Sequence, residues 1–193
     1  MSRNRSSKKK RKLQNKILIV CGGTTEENYF ENFKKGLADV SIVVENNPKS
    51  PRRIVESAIK SMQNTHYIHV WCVFDKDDFV DFDGAIKQAN KNGINVAFSN
   101  QAFELWFLCH YMYIDGKMNR NAYYSQLSRY MKVRYHKTKI NHYDLLNDNI
   151  HVAINNAKIA HQKHMLSDDK DPSKWESCTT VYQLVEQLLE WRN

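Results

Sequence analysis

The chain reads as an α/β protein: a small parallel sheet of about four strands with flanking helices, followed by a helical C-terminal portion. Three observations predict this. Short apolar runs alternate four times with helix-like segments between residues 16 and 113, which is the order of a parallel sheet with crossover helices. The run His69-Val-Trp-Cys-Val-Phe74 is apolar almost throughout, as strands buried on both faces are. Beyond residue 114 no segment has strand character, while several have helical periodicity.

The elements follow in order. Lys16-Ile-Leu-Ile-Val-Cys21 is a short apolar strand, and Gly22-Gly23 turn tightly after it. Thr24 or Thr25 caps the next helix, and Glu26 and Glu27 suit its positive end. Tyr29, Phe30, Phe33 and Leu37 recur at helical spacing, with Gly36 near the end. Val40–Glu45 is a second strand. Ser50 caps a helix whose first turn takes Pro51, and Ile54, Val55, Ala58, Ile59 and Met62 make its apolar stripe. Tyr67–Phe74 is the third strand and a central one. An acidic loop, Asp75–Asp83, leads to a polar helix over Gly84–Asn92, ended by Gly93. Ile94–Phe98 is the fourth strand, and Ser99-Asn100 cap an apolar helix over Ala102–Tyr113. Arg120–Met131, Ile150–His164 and Thr180–Trp191 are helices, the last with a capping box from Thr180 and Gln183. The expected division is a basic arm over 1–15, an α/β core over 16–114 and a helical lobe over 115–193 packed on that core.

The charge is unevenly placed. Residues 1–16 carry eight Lys and Arg and no acid, and the rest of the chain balances 21 basic against 21 acidic residues. Such an arm, including Lys8, Lys9, Lys10, Arg11 and Lys12, can contact phosphates without reading sequence; a solvated tail is the plainer alternative. The four cysteines, Cys21, Cys72, Cys109 and Cys178, lie far apart with no CxxC. They suggest thiols in a reducing compartment rather than disulfides or a zinc site. No apolar tract is long enough to span a bilayer, since Ala102–Ile114 is interrupted by Glu104 and His110. A cytoplasmic protein without a membrane partner is expected.

Three places carry candidate chemistry. Asp75 and Asp77 follow the third strand, at the strand end where α/β folds bind ligands, and a turning loop can bring both to one hard cation such as Mg²⁺. A solvated loop is the alternative, and the pattern also fits a sugar-nucleotide transferase or an aspartyl phosphotransferase, although the latter usually has its acids after the first strand, which argues against it here. The turn Cys21-Gly-Gly-Thr-Thr-Glu26 opens on the same edge; its helix N-terminus favours an anion, and Glu26 can add a carboxylate to the cation site. An ordinary capped turn is the reading that composition alone favours. Glu104 sits in a very apolar helix, so it must be paired, metal-bound or at the helix edge. His110 reads as a core histidine, and the His161 and His164 pair as surface residues before metal ligands. Arg129, Lys132, Arg134, His136, Lys137 and Lys139, interleaved with Tyr130 and Tyr135, suit nucleic acid or a solvated linker.

Taken in order, these pieces resemble the RloB-like family of bacterial proteins associated with restriction loci and phage defence, itself similar to the TOPRIM fold. The matching residues are Val20-Cys21-Gly-Gly-Thr-Thr25-Glu26 with Tyr29-Phe30, Trp71-Cys-Val-Phe-Asp75-Lys-Asp77-Asp78, Ala97-Phe-Ser99-Asn100, and Phe103-Glu104-Leu-Trp106 with His110. Tyr135-His-Lys137 and Thr180-Val181 with Leu184-Val185-Glu186 complete the set. The resemblance implies a TOPRIM-like sheet whose acids hold Mg²⁺ or Mn²⁺ for chemistry at a phosphodiester. It implies Asp75, Asp77 and Glu26 as metal ligands, with Glu26 alternatively a general base and Glu104 a supporting carboxylate. One departure stands out: the family usually has Glu-Gly after the first strand, where this chain has Gly22-Gly23, and Glu26 is the nearest substitute.

Two functions follow as expectations. The first is a Mg²⁺-dependent nuclease-like effector of phage defence, with nucleic acid as partner through the arm and through Arg134 and Lys137. The second is a non-catalytic module that binds nucleic acid, a nucleotide or a defence-system protein.

Overall fold

The computed structural model describes residues 15–35, 40–46, 50–137 and 141–192. Lys8, Lys9, Lys10, Arg11 and Lys12 of the arm, Gly36 and Leu37, and Lys139 lie outside the described residues.

The chain runs β1 (Asn15–Cys21), α1 (Thr24–Glu31), β2 (Val40–Asn46), α2 (Pro51–Asn64), β3 (His69–Asp75), α3 (Phe82–Lys91), β4 (Asn95–Ser99) and α4 (Glu104–Cys109). Then come α5 (Arg120–Met131), α6 (His142–Leu146), α7 (Ile150–Met165) and α8 (Val181–Glu190). The sheet is parallel throughout, in the order β2-β1-β3-β4. The expected four-stranded α/β architecture with a helical C-terminal part is present, and β3 is central.

Alternation along the strands builds two cores. Ile17, Ile19, Cys21, Trp71, Val73 and Ala97 face a layer formed by α1, α4, α5, α7 and α8. Leu18, Val20, Val70, Cys72, Phe74 and Phe98 face α2 and α3. Both faces of β1 and β3 are therefore covered, which is why these strands are uninterrupted apolar runs. From β1 the chain steps to β2 on one side and then to β3 and β4 on the other. The carboxyl ends of β1 and β3 thus flank the point where strand order reverses, the usual crevice for ligands in such sheets.

Local signals were met unevenly. Helix α5 has the expected bounds, capped by the Asn119 side chain, which accepts from the Ala122 amide. Helix α1 is capped by extended Gly23, and Thr24 and Thr25 are its first two residues rather than its cap. Helix α4 is shorter than its apolar run, because the turns at both ends close on i to i+3 bonds such as Leu105 N to Ala102 O and Tyr111 N to Leu108 O. Ser99 and Asn100 do not cap α4, whose first residue follows Phe103. Instead Asn100 N donates to Cys178 O at 2.8 Å. The capping box at Thr180 is also absent. Its hydroxyl instead accepts from Phe98 N at 2.9 Å, while Thr180 N donates to Phe98 O at 2.8 Å. Residues 178–180 therefore run along the free edge of β4, with one antiparallel bridge between Ser99 and Thr179.

All four cysteines are buried free thiols. Burial pushes those of Cys72, Cys109 and Cys178 up to about 12, so none is a ready nucleophile. No helix among the described residues is long and apolar enough to cross a membrane.

Candidate functional site

The acids collect at the strand-order reversal. Glu26 comes from the first turn of α1, Asp75 is the last residue of β3, and Glu104 opens α4. Strand β3 runs two residues past Val73, the partner of Cys21, and Gly22 N donates to Val73 O at 2.8 Å. Asp75 therefore overhangs the β1–α1 turn. Gly22, Glu26, Asp75 and Asp77 line one cavity of about 400 Å³ together with Pro51 and Ile54 of α2.

Glu26 is 5% exposed and Glu104 1% exposed. Desolvation by burial raises the Glu26 carboxyl to about 7; its own backbone amide and Lys137 oppose this, and Glu104 adds to it. Asp75 is pushed well above the usual carboxylate range, first by burial and then by the charges of Glu26 and Glu104, against a hydrogen bond from the Phe103 amide and the charge of Lys137. Asp75 Oδ1 is buried and has no hydrogen-bond partner among the described residues. Gly23 makes this packing possible: a Cβ there would stand 2.9 Å from Glu26 Oε2, so only glycine leaves the carboxylate its place without a shift.

Glu104 is satisfied from the far side. Tyr135 donates its hydroxyl to Glu104 Oε1 at 2.8 Å, and Lys137 Nζ lies 3.4 Å from the same oxygen. Lys137 also stands over the Tyr124 ring, 5.6 Å from its centroid, and Tyr124 stacks on Tyr135 at 5.4 Å. Arg134 and Lys137, the basic residues singled out with the C-terminal patch, share a second cavity of about 340 Å³ with Tyr124, Ser128 and Tyr135. Lys137 thus connects that basic, aromatic cavity to the acids.

Asp77 behaves differently. Its backbone is left-handed, with φ of 42°. Its carboxylate accepts from Arg120 Nη2 at 2.7 Å, and the same nitrogen donates to Gln101 O at 2.9 Å. Asp77 shares the cavity wall with Glu26 and Asp75, but its charge is spent on Arg120. Among the described residues no three His, Cys, Asp or Glu side chains converge closely enough to hold a metal ion.

Whether these residues fit a hard divalent cation turns on Asp75. Its orphaned buried oxygen, beside a second desolvated carboxylate, is the oxygen donor set such a cation takes, with water and substrate oxygens completing the shell. The fit is to a pair of protein ligands, Asp75 and Glu26. Asp77 is on the same wall but held away, and Glu104 stands behind, bound by Tyr135 and Lys137.

The histidines lie elsewhere. His110 Nδ1 pairs with Trp106 O at 3.0 Å, and burial lowers its pKa to about 4, as suits a neutral core residue. His161 pairs with the Tyr182 hydroxyl and His164 with Glu176 O, each ring lying against Trp175. Neither pairing leaves the two rings aimed at a common ion. Arg120 is the residue that local pattern did not single out. It is one of several basic residues in the chain, and only the fold brings it to Asp77, 43 positions earlier.

A family model described as RloB-like protein matches residues 17–188. No curated protein and no solved structure matches the chain.

Proposed function

The chain belongs to the RloB-like protein family over most of its length, and on that premise we propose a divalent-cation-dependent enzyme of nuclease type, acting on phosphodiesters in a bacterial defence setting. The observation that carries the reading is the buried, unpartnered Asp75 oxygen beside Glu26 and Glu104. Uncompensated carboxylates in a protein interior cost several kcal/mol, on the order of 3–5 where one charge is left unpaired, and the half-exposed counter-charge of Lys137 is paired with Glu104. A bound cation removes that cost.

In this reading Asp75 and Glu26 hold Mg²⁺ or Mn²⁺, which when bound polarises a phosphoryl oxygen and lowers the pKa of an attacking water. Glu26, poised near neutrality, serves alternatively as the base that takes a proton from that water. Glu104 fixes Lys137 through its ion pair, and Lys137 with Arg134 receives the nucleic-acid backbone as point and planar cations. The arm residues Lys8, Lys9, Lys10, Arg11 and Lys12 extend the contact.

The test is incubation with single- and double-stranded DNA and RNA in Mg²⁺ or Mn²⁺, with a chelator control. Metal-dependent cleavage supports the proposal; intact substrate under every metal condition counts against it. The rival, a binding module without catalysis, is favoured by the Asp77–Arg120 pair, which leaves the carboxylate set incomplete. Gly22→Glu separates the two. A Cβ at Gly22 meets the terminal methyl of buried Ile54 at 3.0 Å and the Val73 carbonyl oxygen at 3.4 Å, so a new carboxylate enters the cavity only if Ile54 shifts its rotamer, at a cost of ~1 kcal/mol. The natural protein is expected to bind Mn²⁺ without this change. Binding or cleavage that appears only in Gly22→Glu assigns the natural chain to the binder class.

A further inference from the structure

We infer that Arg120 is the phosphate-binding residue of this site, and that a substrate phosphate takes it from Asp77, freeing Asp77 to join Asp75 and Glu26. The inference rests on the cation reading above and names what assembles the site: a phosphodiester placed beside α5.

Arg120 opens α5, and its side chain is 37% exposed against 39% for Asp77. An ion pair this open to solvent is weak, so a phosphate can displace it. Both of the guanidinium's contacts run through Nη2, to Asp77 and to Gln101 O, while Nε is buried and has no partner among the described residues. A guanidinium that turns away from Asp77 exposes its donors for the paired N–H contacts with which it recognises phosphate. Its partner Asp77 lines the cavity together with Asp75 and Glu26, which puts a phosphate bound at Arg120 beside the acids. The loops it ties are both unusual: Asp77 after β3 and Gln101 after β4 are left-handed, with φ of 42° and 70°. Two such non-glycine residues held by one side chain mark segments whose conformation depends on that contact.

The free protein then keeps Asp77 on Arg120, with two carboxylates left for the cation. Phosphate moves the guanidinium's charge from Asp77 to the substrate, and Asp77, already on the cavity wall, becomes the third carboxylate. Cation and phosphate must accordingly strengthen each other's binding by the same factor.

The experiment measures Mn²⁺ binding from the electron paramagnetic resonance signal of the free ion. It is run with and without a thymidine dinucleotide carrying a phosphorothioate linkage, on wild type, Arg120→Gln and Asp77→Asn. The dinucleotide should tighten Mn²⁺ binding to wild type about fivefold or more. Arg120→Gln should bind Mn²⁺ more tightly than wild type without dinucleotide and gain nothing from adding it. Asp77→Asn should bind the dinucleotide more tightly than wild type without metal, yet show no coupling to Mn²⁺. Equal Mn²⁺ affinity in wild type and Arg120→Gln, or coupling that survives in Arg120→Gln, overturns the role of Arg120 and leaves the cation reading standing. Absence of Mn²⁺ binding in all three proteins overturns both.

Discussion

Without metal, Glu26→Gln is expected to be more stable than the wild type at pH 8 by about 3 kcal/mol and nearly equal to it at pH 4.5. The folded protein raises the Glu26 carboxyl from 4.5 to about 7, and each tenfold change in proton affinity is worth about 1.4 kcal/mol. Because the folded value is the higher one, the stability this group supplies is complete below pH 4.5. It is lost as pH rises towards 7, where the unfolded chain has already released its proton. The wild-type curve alone does not isolate this slope, because Asp75 is also raised by burial and contributes in the same direction. His110, lowered by burial from 6.5 to about 4, gains stability over nearly the same interval, and the two opposite slopes partly cancel. The difference between wild type and variant reports Glu26 together with its coupling to Asp75. Urea midpoints measured from pH 4.5 to pH 8 provide it, and a flat difference curve would show that the carboxylate is not desolvated. Saturating Mn²⁺ should then raise the midpoint of the wild type at pH 8 and leave the variant where it was.

Asp75→Asn should move stability and activity in opposite directions. The amide keeps an acceptor for the Phe103 amide, offers a donor to Glu26, and removes a buried charge that Glu26 and Glu104 both repel. A gain of about 1–3 kcal/mol at pH 8 is expected. Metal-dependent cleavage should fall about 100-fold or more, since even the groups that merely orient metal ligands are worth 10–100-fold. A site that is strained for its chemistry behaves in this way. Unchanged cleavage would remove Asp75 from the mechanism, and a variant that loses stability together with activity would assign the residue to the fold.

Much of the architecture was legible in the sequence because it is local. Strands β1 and β3 are apolar runs, and α5 is bounded by its own cap. The overhanging Asp75 follows from a buried run ending in an acid. The cost of burying Glu104 was also foreseeable, and it demanded a partner. What the chain did not disclose was which partner. Tyr135 and Lys137 lie 31 and 33 positions further on, and Arg120 lies 43 beyond Asp77; no periodicity connects such pairs. The failed capping box at Thr180 has the same cause. A hydroxyl suited to cap its own helix found a better use on β4, where an otherwise unpaired Phe98 amide awaited an acceptor.

That use has a consequence for synthesis in the cell. β4 is an edge strand, and an uncovered edge is a template for pairing with other chains. Here its cover is residues 178–180, which follow the strand by about 80 positions. A nascent chain that has completed all four strands still presents that edge until about 80 further residues have left the ribosome, by the separation of Phe98 from Thr180. Ribosome-stalled or truncated products ending before Cys178 should therefore aggregate through β4, whereas a chain that includes residues 178–180 covers that edge.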